Sequence, residues 1–269
     1  MLPIVVLACY FAGALWLGSS ALRAPDTAAR GRWVAGVALG GVAVAFHAGL
    51  LWGDLAAKPS LSFSITEAAS LIGWPIGAIA LALSWARPRF AAIGAALMII
   101  AGSVAVGTLQ GTHGNALEQQ NWQIAAHIAL SIVAYALLTT AVALAICLAL
   151  LDRRLRSRRA LGWLQALPSM EALESGTFQA LTAGFAILTL ALFSGFIFVD
   201  DLFAQHLVHK TVLSCLAWVV FAVLLFGRWR FGWRGRTAAF WTLSGFALLA
   251  LAYFGSKIVL EGIFGRQWG

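Results

Sequence analysis

Two of the five histidines in this chain lie inside long apolar stretches, where an imidazole needs a chemical or structural reason to be present. His47 lies near the end of one stretch, and His127 lies in the other, "NWQIAAHIALSIVAYALL", residues 121–138. An imidazole can bind a transition metal through one ring nitrogen while the other nitrogen finds a hydrogen-bond partner. Axial ligation of haem iron needs one or two such nitrogens facing an apolar slot. His47 and His127 are therefore candidate haem-iron ligands; the alternative is that each only hydrogen-bonds a neighbouring helix.

The other chemically capable residues give weaker signals. His113, His206 and His209 lie in or beside polar loops, and the acids Glu67 and Glu261 lie near the ends of apolar segments, where pairing with lysine or helix capping also explains them. The three cysteines are far apart and form no CxxC pair. Phosphate-binding, zinc-protease and nucleophile-elbow motifs do not occur in the sequence. We therefore expect a binding or transfer protein rather than an enzyme.

The composition predicts which elements must position these residues. The chain has 269 residues, of which 61% are hydrophobic and 10% charged, with a mean hydropathy of +0.88. A helix that crosses a bilayer needs about 20 mostly apolar residues, so we expect an all-α, polytopic membrane protein with eight transmembrane helices. The predicted spans are residues 2–22, 33–52, 64–86, 90–110, 124–151, 177–199, 209–227 and 237–260.

The basic residues predict the orientation of these spans. Of the 18 Lys and Arg residues, fourteen follow the first, third, fifth and seventh spans and therefore lie on one side. The positive-inside rule makes that side cytoplasmic and places both termini outside, in the periplasm. Because the charge is divided among four short loops, we expect contact with lipid and no nucleic-acid partner. The fourteen are Arg23, Arg30, Arg32, Arg87, Arg89, Arg153, Arg154, Arg156, Arg158, Arg159, Arg228, Arg230, Arg234 and Arg236.

This topology places all five histidines on the outer half, with His47 and His127 at similar depths. An ionisable group inside a span is costly and by default suggests a functional site. His127 shares a helix face with Ser131, Ala134 and Tyr135, a small and polar stripe suited to a bundle interior. We therefore expect His47 and His127 to face the same interior pocket.

Two further stretches carry packing or surface signals. The small residues of "GVALGG" (36–41) suit close approach of helices in lipid. Residues 152–176 combine a dense arginine run with leucines at helical spacing, which predicts a cytoplasmic amphipathic linker against anionic headgroups. The alternative for this linker is a solvated segment with a basic topogenic patch.

Several stretches resemble the cytochrome c assembly proteins of the CcsA type, and more distantly the HemX type. These are "NWQIAAHIALSIVAYALL", "PSMEALE" (168–174), "GFAILTLALFSGFIF" (184–198) and "GWRGRTAAFWTLSGF" (232–246), in the same order as in that family. The resemblance covers nearly the whole chain and implies a single transmembrane domain over residues 1–269 with its core at 33–264.

In the haem-handling members of that family, four histidines are thought to bind haem around a tryptophan-rich WWD motif. The resemblance matches His47 to the first membrane histidine, Glu67 to a glutamate that follows it, and His127 to the first outer histidine. The second membrane histidine would fall near Phe226 or Gly227 and the second outer one near Phe264, and both are absent, as is the WWD motif, whose last part is replaced by "LVHKT" at 207–211.

The resemblance thus implies a haem-binding or haem-handling protein of the inner membrane, with haem b as the candidate cofactor held by His47 and His127. His206 or His209 is a candidate substitute for a missing ligand. The alternatives are a non-haem accessory protein that regulates a membrane-protein partner, a transporter of another small molecule, and a HemX-like regulator of tetrapyrrole synthesis.

Overall fold

A computed structural model describes residues 2–23, 26–57, 65–105, 122–157, 162–198 and 205–255. Every regular element in these ranges is helical. Short 3₁₀ turns occur at Pro88–Phe90 and Gly162–Ala166, and a π-helical turn at Leu251–Gly255. The α-helices are α1 (Leu2–Ala21), α2 (Thr27–Ala57), α3 (Ile65–Ala86), α4 (Ala91–Ala105), α5 (Trp122–Arg156), α6 (Met170–Phe198), α7 (Gln205–Phe231) and α8 (Gly235–Ala250).

Seven of these helices, α1 to α7, are long and apolar enough to cross a membrane, α4 together with the 3₁₀ turn before it. The prediction of an all-α protein with many membrane spans is confirmed at this level. The helix α8 has 16 residues before the π-helical turn, which is shorter than the roughly 20 residues that a span needs. It is therefore not among the seven.

Two helices, α2 and α6, begin six or seven residues earlier than the hydropathy pattern predicted, because polar residues cap them. The Asp26 carboxylate accepts a hydrogen bond from the Ala29 amide, so α2 begins at Thr27 rather than near residue 33. The Ser169 hydroxyl accepts one from the Ala172 amide at 3.3 Å, so α6 begins at Met170 rather than near residue 177. The second cap places the end of the predicted linker, residues 152–176, within α6.

The chain divides into two compact units, of which the first comprises Met1–His113 and Leu150–Leu173. In this unit α1 crosses α2 with their backbones almost in contact. A Cβ atom added to Gly36 would lie 2.8 Å from the Leu17 amide nitrogen and 3.1 Å from the Gly13 carbonyl oxygen. The prediction that "GVALGG" supports close helix packing is therefore confirmed at Gly36.

The second unit comprises Gly114–Ala149 and Glu174–Gly269. Tyr135 of α5 donates a hydrogen bond to the carbonyl of Leu249 in α8, and Ala134 beside it is buried. The polar stripe predicted on α5 thus faces protein at these two positions. Trp218 of α7 donates its indole N–H to the Thr189 hydroxyl of α6 at 2.8 Å, which joins these two helices.

One end of the second unit contains an ion cluster that sequence reasoning missed. The sequence drew attention to the acids Glu67 and Glu261, but the acid of this cluster is Glu174, which is buried, and Oε1 of its carboxylate accepts hydrogen bonds from two arginines. Arg228 lies 2.6 Å and Arg234 2.7 Å from this atom. Both arginines therefore have a structural partner in addition to the topological role that their position in the sequence predicts.

Candidate functional site

His47 lies on α2 in the first unit and is completely buried. Its Nδ1 is 3.2 Å from the Tyr10 hydroxyl of α1, and its Nε2 is 3.0 Å from the Ser70 hydroxyl of α3. The Tyr10 ring also packs edge-on against the imidazole, with 5.8 Å between ring centroids. Tyr10 and Ser70 are buried as well. The imidazole is thus a hydrogen-bonded junction of three helices.

Both ring nitrogens of His47 are occupied in this arrangement. A hydroxyl can either donate or accept, so Tyr10 and Ser70 together satisfy an imidazole in either tautomer. Ligation of iron by His47 would require one of these two hydrogen bonds to be broken. The geometry around His47 therefore does not fit an axial ligand without rearrangement, and its assignment as a ligand stays a prediction.

His127 lies in the second turn of α5 in the second unit and is half-buried. Its Nδ1 lies 2.9 Å from the carbonyl oxygen of Ala191 and 3.0 Å from the Ser194 hydroxyl, both on α6. The Ser194 hydroxyl itself donates to the Ala191 carbonyl at 2.8 Å. Among the described residues, the hydrogen-bond partners of this imidazole therefore all lie at Nδ1.

These partners assign the tautomer of His127. A carbonyl oxygen only accepts hydrogen bonds, so Nδ1 must carry the proton that points at Ala191. The Ser194 hydroxyl gives its proton to the same carbonyl and is left to accept from Nδ1. Nε2 then has a lone pair, and no described residue hydrogen-bonds it. Histidines that bind metals commonly donate their other N–H to a backbone carbonyl in this way, so the hydrogen bonding of His127 is compatible with metal ligation through Nε2, and its assignment as a ligand stays a prediction.

A glycine makes room for this imidazole. A Cβ atom on Gly195 of α6 would lie 3.0 Å from Cε1 and 3.4 Å from Nδ1 of His127, so any side chain there would press on the ring. Toward the starting end of α5, Trp122 approaches Phe198 of α6, with 6.3 Å between ring centroids. The His127 ring of α5 is thus held against α6 by its hydrogen bonds to Ala191 and Ser194.

The structure describes the other candidate site residues only in part. Glu67 lies in the first turn of α3 and is partly exposed. His206 and His209 belong to the first two turns of α7, and their side chains are outside the described part of the structure. His113 and Glu261 also lie outside the described residues. The roles suggested for these residues stay predictions.

His47 and His127 belong to separate compact units. The shared pocket expected from their equal depth therefore stays a prediction. Within the described ranges no group of three or more His, Cys, Asp and Glu side chains is arranged to hold a metal ion. Haem needs only one or two protein ligands, so a single oriented histidine remains sufficient.

We expect Tyr10→Phe to destabilise the first unit, because it leaves one buried nitrogen of His47 without a partner. An unsatisfied buried polar group costs about 1–3 kcal/mol. Ser70→Ala should have a similar effect, and the two losses should not be additive if the imidazole responds as one group. The measurement is thermal unfolding in detergent, with Ser103→Ala as the control, since Ser103 is exposed and bonds only the Ile99 carbonyl within its own helix. Equal melting temperatures for all variants would contradict the junction.

The helices and the oriented imidazole together define a multi-pass membrane protein with a candidate cofactor ligand between two of its spans. The family model described as cytochrome C assembly protein matches residues 87–264. The chain belongs to this cytochrome c assembly family, as the motifs in the sequence implied.

Individual relatives agree with this assignment. The chain is 38% identical to the inner membrane protein YpjD of Escherichia coli K12 over 135 residues, which cover 50% of this chain and 51% of that protein. It is 36% identical over 141 residues to a 28.8 kDa protein of Azospirillum brasilense, covering 52% of each. The cytochrome c biogenesis protein CcsA of Prochlorococcus marinus is 28% identical over 100 residues, covering 36% of this chain and 32% of that protein.

The chain thus spans about half the length of the first two relatives it matches. No solved structure is similar to it. The relatives and the apolar helices agree on the location, and the predicted localisation in the inner membrane is confirmed: this is a multi-pass inner-membrane protein.

Proposed function

We propose that this protein binds or transfers haem within the inner membrane and that His127 is an axial ligand of the iron. The observation that carries the proposal is the commitment of His127 Nδ1 to the Ala191 carbonyl and the Ser194 hydroxyl. This leaves Nε2 with a lone pair and a set direction. The membership in the cytochrome c assembly family supports haem as the ligand, because the CcsA-like family is associated with haem handling; haem b stays our candidate cofactor.

The residues around His127 would each contribute to holding haem. The Ala191 carbonyl and Ser194 keep the imidazole in one tautomer and one orientation, and Gly195 leaves space for the ring. Trp122 and Phe198 supply apolar surface near the starting end of α5. Haem, when bound, supplies an iron centre that accepts the Nε2 lone pair.

The sequence lacks part of the pattern found in the haem-handling members of the family, and this absence limits which haem functions we propose. Two of the four family histidines and the WWD motif are missing. We therefore propose binding or transfer of haem within the bilayer, with no catalysis. A membrane-protein partner would receive or supply the haem.

We also propose that α8 continues through its π-helical turn as an eighth span and that both termini are outside. The asymmetry of fourteen against four basic residues supports this orientation. A reporter enzyme that is active only in the periplasm should work when fused after Gly269, and a fusion after Arg156 should be inactive. Activity of the Gly269 fusion in the cytoplasm alone would contradict this topology.

The direct test of the function is the visible spectrum of the protein purified from haem-replete cells. We expect a Soret band that shifts on reduction, with bound haem extracted and quantified as its pyridine haemochrome. Expression in cells that cannot make haem should give folded protein without the band, and added haemin should restore it. A folded protein that shows no band in either preparation would refute haem binding.

The second candidate function is that of a non-haem accessory protein that regulates a membrane partner. The observation that favours it is the saturation of both His47 nitrogens by Tyr10 and Ser70. In that case His127 would serve as a second helix junction, analogous to His47. The spectrum separates the two candidates, since only the haem-binding protein has a Soret band.

A further inference from the structure

Four arginines, Arg228, Arg230, Arg234 and Arg236, lie within nine residues at the end of α7 and the start of α8; we name them the arginine cluster. Glu174 offsets one of the four positive charges and, within the described residues, is the acid that forms ion pairs with them. The cluster therefore keeps a net positive charge of three. Such an excess beside a membrane helix attracts anionic lipid headgroups.

Glu174 also orders two of these guanidinium groups. Arg228 is held by the carboxylate, by the Phe178 ring 4.7 Å below its guanidinium carbon, and by the Trp233 carbonyl at 3.3 Å. Arg234 uses its Nε to bind the same carboxylate oxygen, and its side chain remains 63% exposed. No other acceptor in the described ranges contacts Arg234, so its two terminal amino groups are available to a ligand.

The turn between α7 and α8 fixes the direction of Arg234. Gly232 and Gly235 have positive φ angles of 67° and 54°. Residues with side chains rarely adopt such angles, so these two glycines allow the chain to reverse tightly. Trp233 between them stacks on Trp241 of α8, with 5.4 Å between ring centroids. Arg234 is thus held in two ways. The turn fixes its backbone, and the Glu174 carboxylate binds its guanidinium group.

Two large exposed aromatic rings lie among the arginines of the cluster in the sequence. Trp229 is 81% exposed and Phe231 is 65% exposed, and they alternate with the arginines along the chain. Exposed rings interleaved with cations are typical of the membrane interface, where the ring contacts acyl chains and the cation contacts phosphate. A soluble acidic partner would not need these rings, so charge and apolar surface together favour a lipid.

We propose that the arginine cluster is a binding site for the phosphate headgroup of an anionic phospholipid, with Arg234 held by Glu174 as its ordered ligand. A planar guanidinium binds phosphate oxygens through two parallel hydrogen bonds. Arg230 and Arg236 are exposed and add charge around this contact. The proposal is independent of haem binding, because Glu174 lies near the start of α6, whereas Ala191 and Ser194, which hold His127, lie near the end of that helix.

The test is native mass spectrometry of the full-length protein in detergent with equal amounts of phosphatidylglycerol and phosphatidylcholine. We expect bound phosphatidylglycerol to exceed phosphatidylcholine, and Arg234→Gln to lower that ratio about fivefold. The double variant Arg230→Gln/Arg236→Gln, whose side chains have no ion pair among the described residues, should also lower it while leaving the fold intact. Arg23→Gln is the matched control, because Arg23 is an exposed arginine just after the end of α1 and lies outside both the arginine cluster and the predicted linker.

Several outcomes would overturn the site. An equal fall in the ratio for Arg23→Gln would show a general effect of positive charge. No preference for phosphatidylglycerol in the native protein would exclude an anionic lipid. Loss of the lipid adduct on adding millimolar inorganic phosphate, with phosphate itself retained, would assign the cluster to a free anion instead. If Arg234→Gln fails to fold, a normal ratio in the double variant would refute the proposal.

Discussion

Replacing His127 with glycine is expected to lower the haem that copurifies with the protein by at least about tenfold, as losses around metal ligands commonly do. The two transmembrane histidines have four ring nitrogens. Of these, only Nε2 of His127 lacks a hydrogen-bond partner among the described residues, so it is the nitrogen available to the iron. The measurement is the ratio of Soret absorbance to protein absorbance, checked by pyridine haemochrome. His127→Ala should behave in the same way.

Exogenous imidazole makes this experiment specific for ligation. The cavity left by His127→Gly should admit imidazole, so millimolar imidazole should restore the Soret band if the residue acts as a ligand. His113→Ala is the control and should retain its haem, because the family pattern has no counterpart for His113. Equal loss of haem from His127→Gly and His113→Ala would indicate that the iron ligand lies in the outer loops. Retention of haem by His127→Gly would refute the assignment of His127 as a ligand.

Gly195→Val should give a partial effect for a steric reason. The added Cβ would lie 3.0 Å from Cε1 of His127 and displace the ring from its hydrogen bonds. We therefore expect a shifted Soret maximum or a reduced haem content. An unchanged spectrum would show that the position of the imidazole against α6 is irrelevant to the cofactor.

The second large effect is expected for Gly36→Ala, which should destabilise the first unit by about 1–3 kcal/mol, the usual cost of overpacking. The new Cβ would lie 2.8 Å from the backbone nitrogen of Leu17, closer than carbon atoms normally approach. The contact is with backbone, so a change of side-chain rotamer cannot relieve it, and α1 and α2 must separate. The measurement is the midpoint of thermal unfolding in detergent.

Gly49→Ala is the matched control, because it lies on the same helix and a Cβ there meets nothing within 4 Å. Its melting temperature should be unchanged or slightly higher, since alanine favours the helix over glycine. If Gly36→Ala has the same melting temperature as Gly49→Ala, the backbones of α1 and α2 are not in contact at Gly36. A larger loss for Gly36→Leu would strengthen the interpretation.

The sequence by itself determined the class of protein and much of its plan. Apolar runs of sufficient length predict membrane helices, since a bilayer requires each backbone polar group to bond within its own helix. The small residues of "GVALGG" predicted the crossing at Gly36, and the stripe on α5 predicted the buried faces of Ala134 and Tyr135. These are local properties, set by the period of a helix and the size of a side chain. The exact helix starts at Thr27 and Met170 were missed, although their capping residues, Asp26 and Ser169, are visible in the sequence.

Only the tertiary structure decided which groups each transmembrane histidine contacts. His47 and His127 look alike in sequence, since both are imidazoles at similar depth in apolar helices. Their partners lie 37 and 23 positions away for His47, and 64 and 67 positions away for His127. Helix packing brings two hydroxyls to opposite nitrogens of the first imidazole, and a carbonyl and a hydroxyl to one nitrogen of the second. The arginines joined by Glu174 were likewise hidden, because an ion pair across 54 and 60 positions depends on which helices become neighbours and leaves no periodic pattern in the chain.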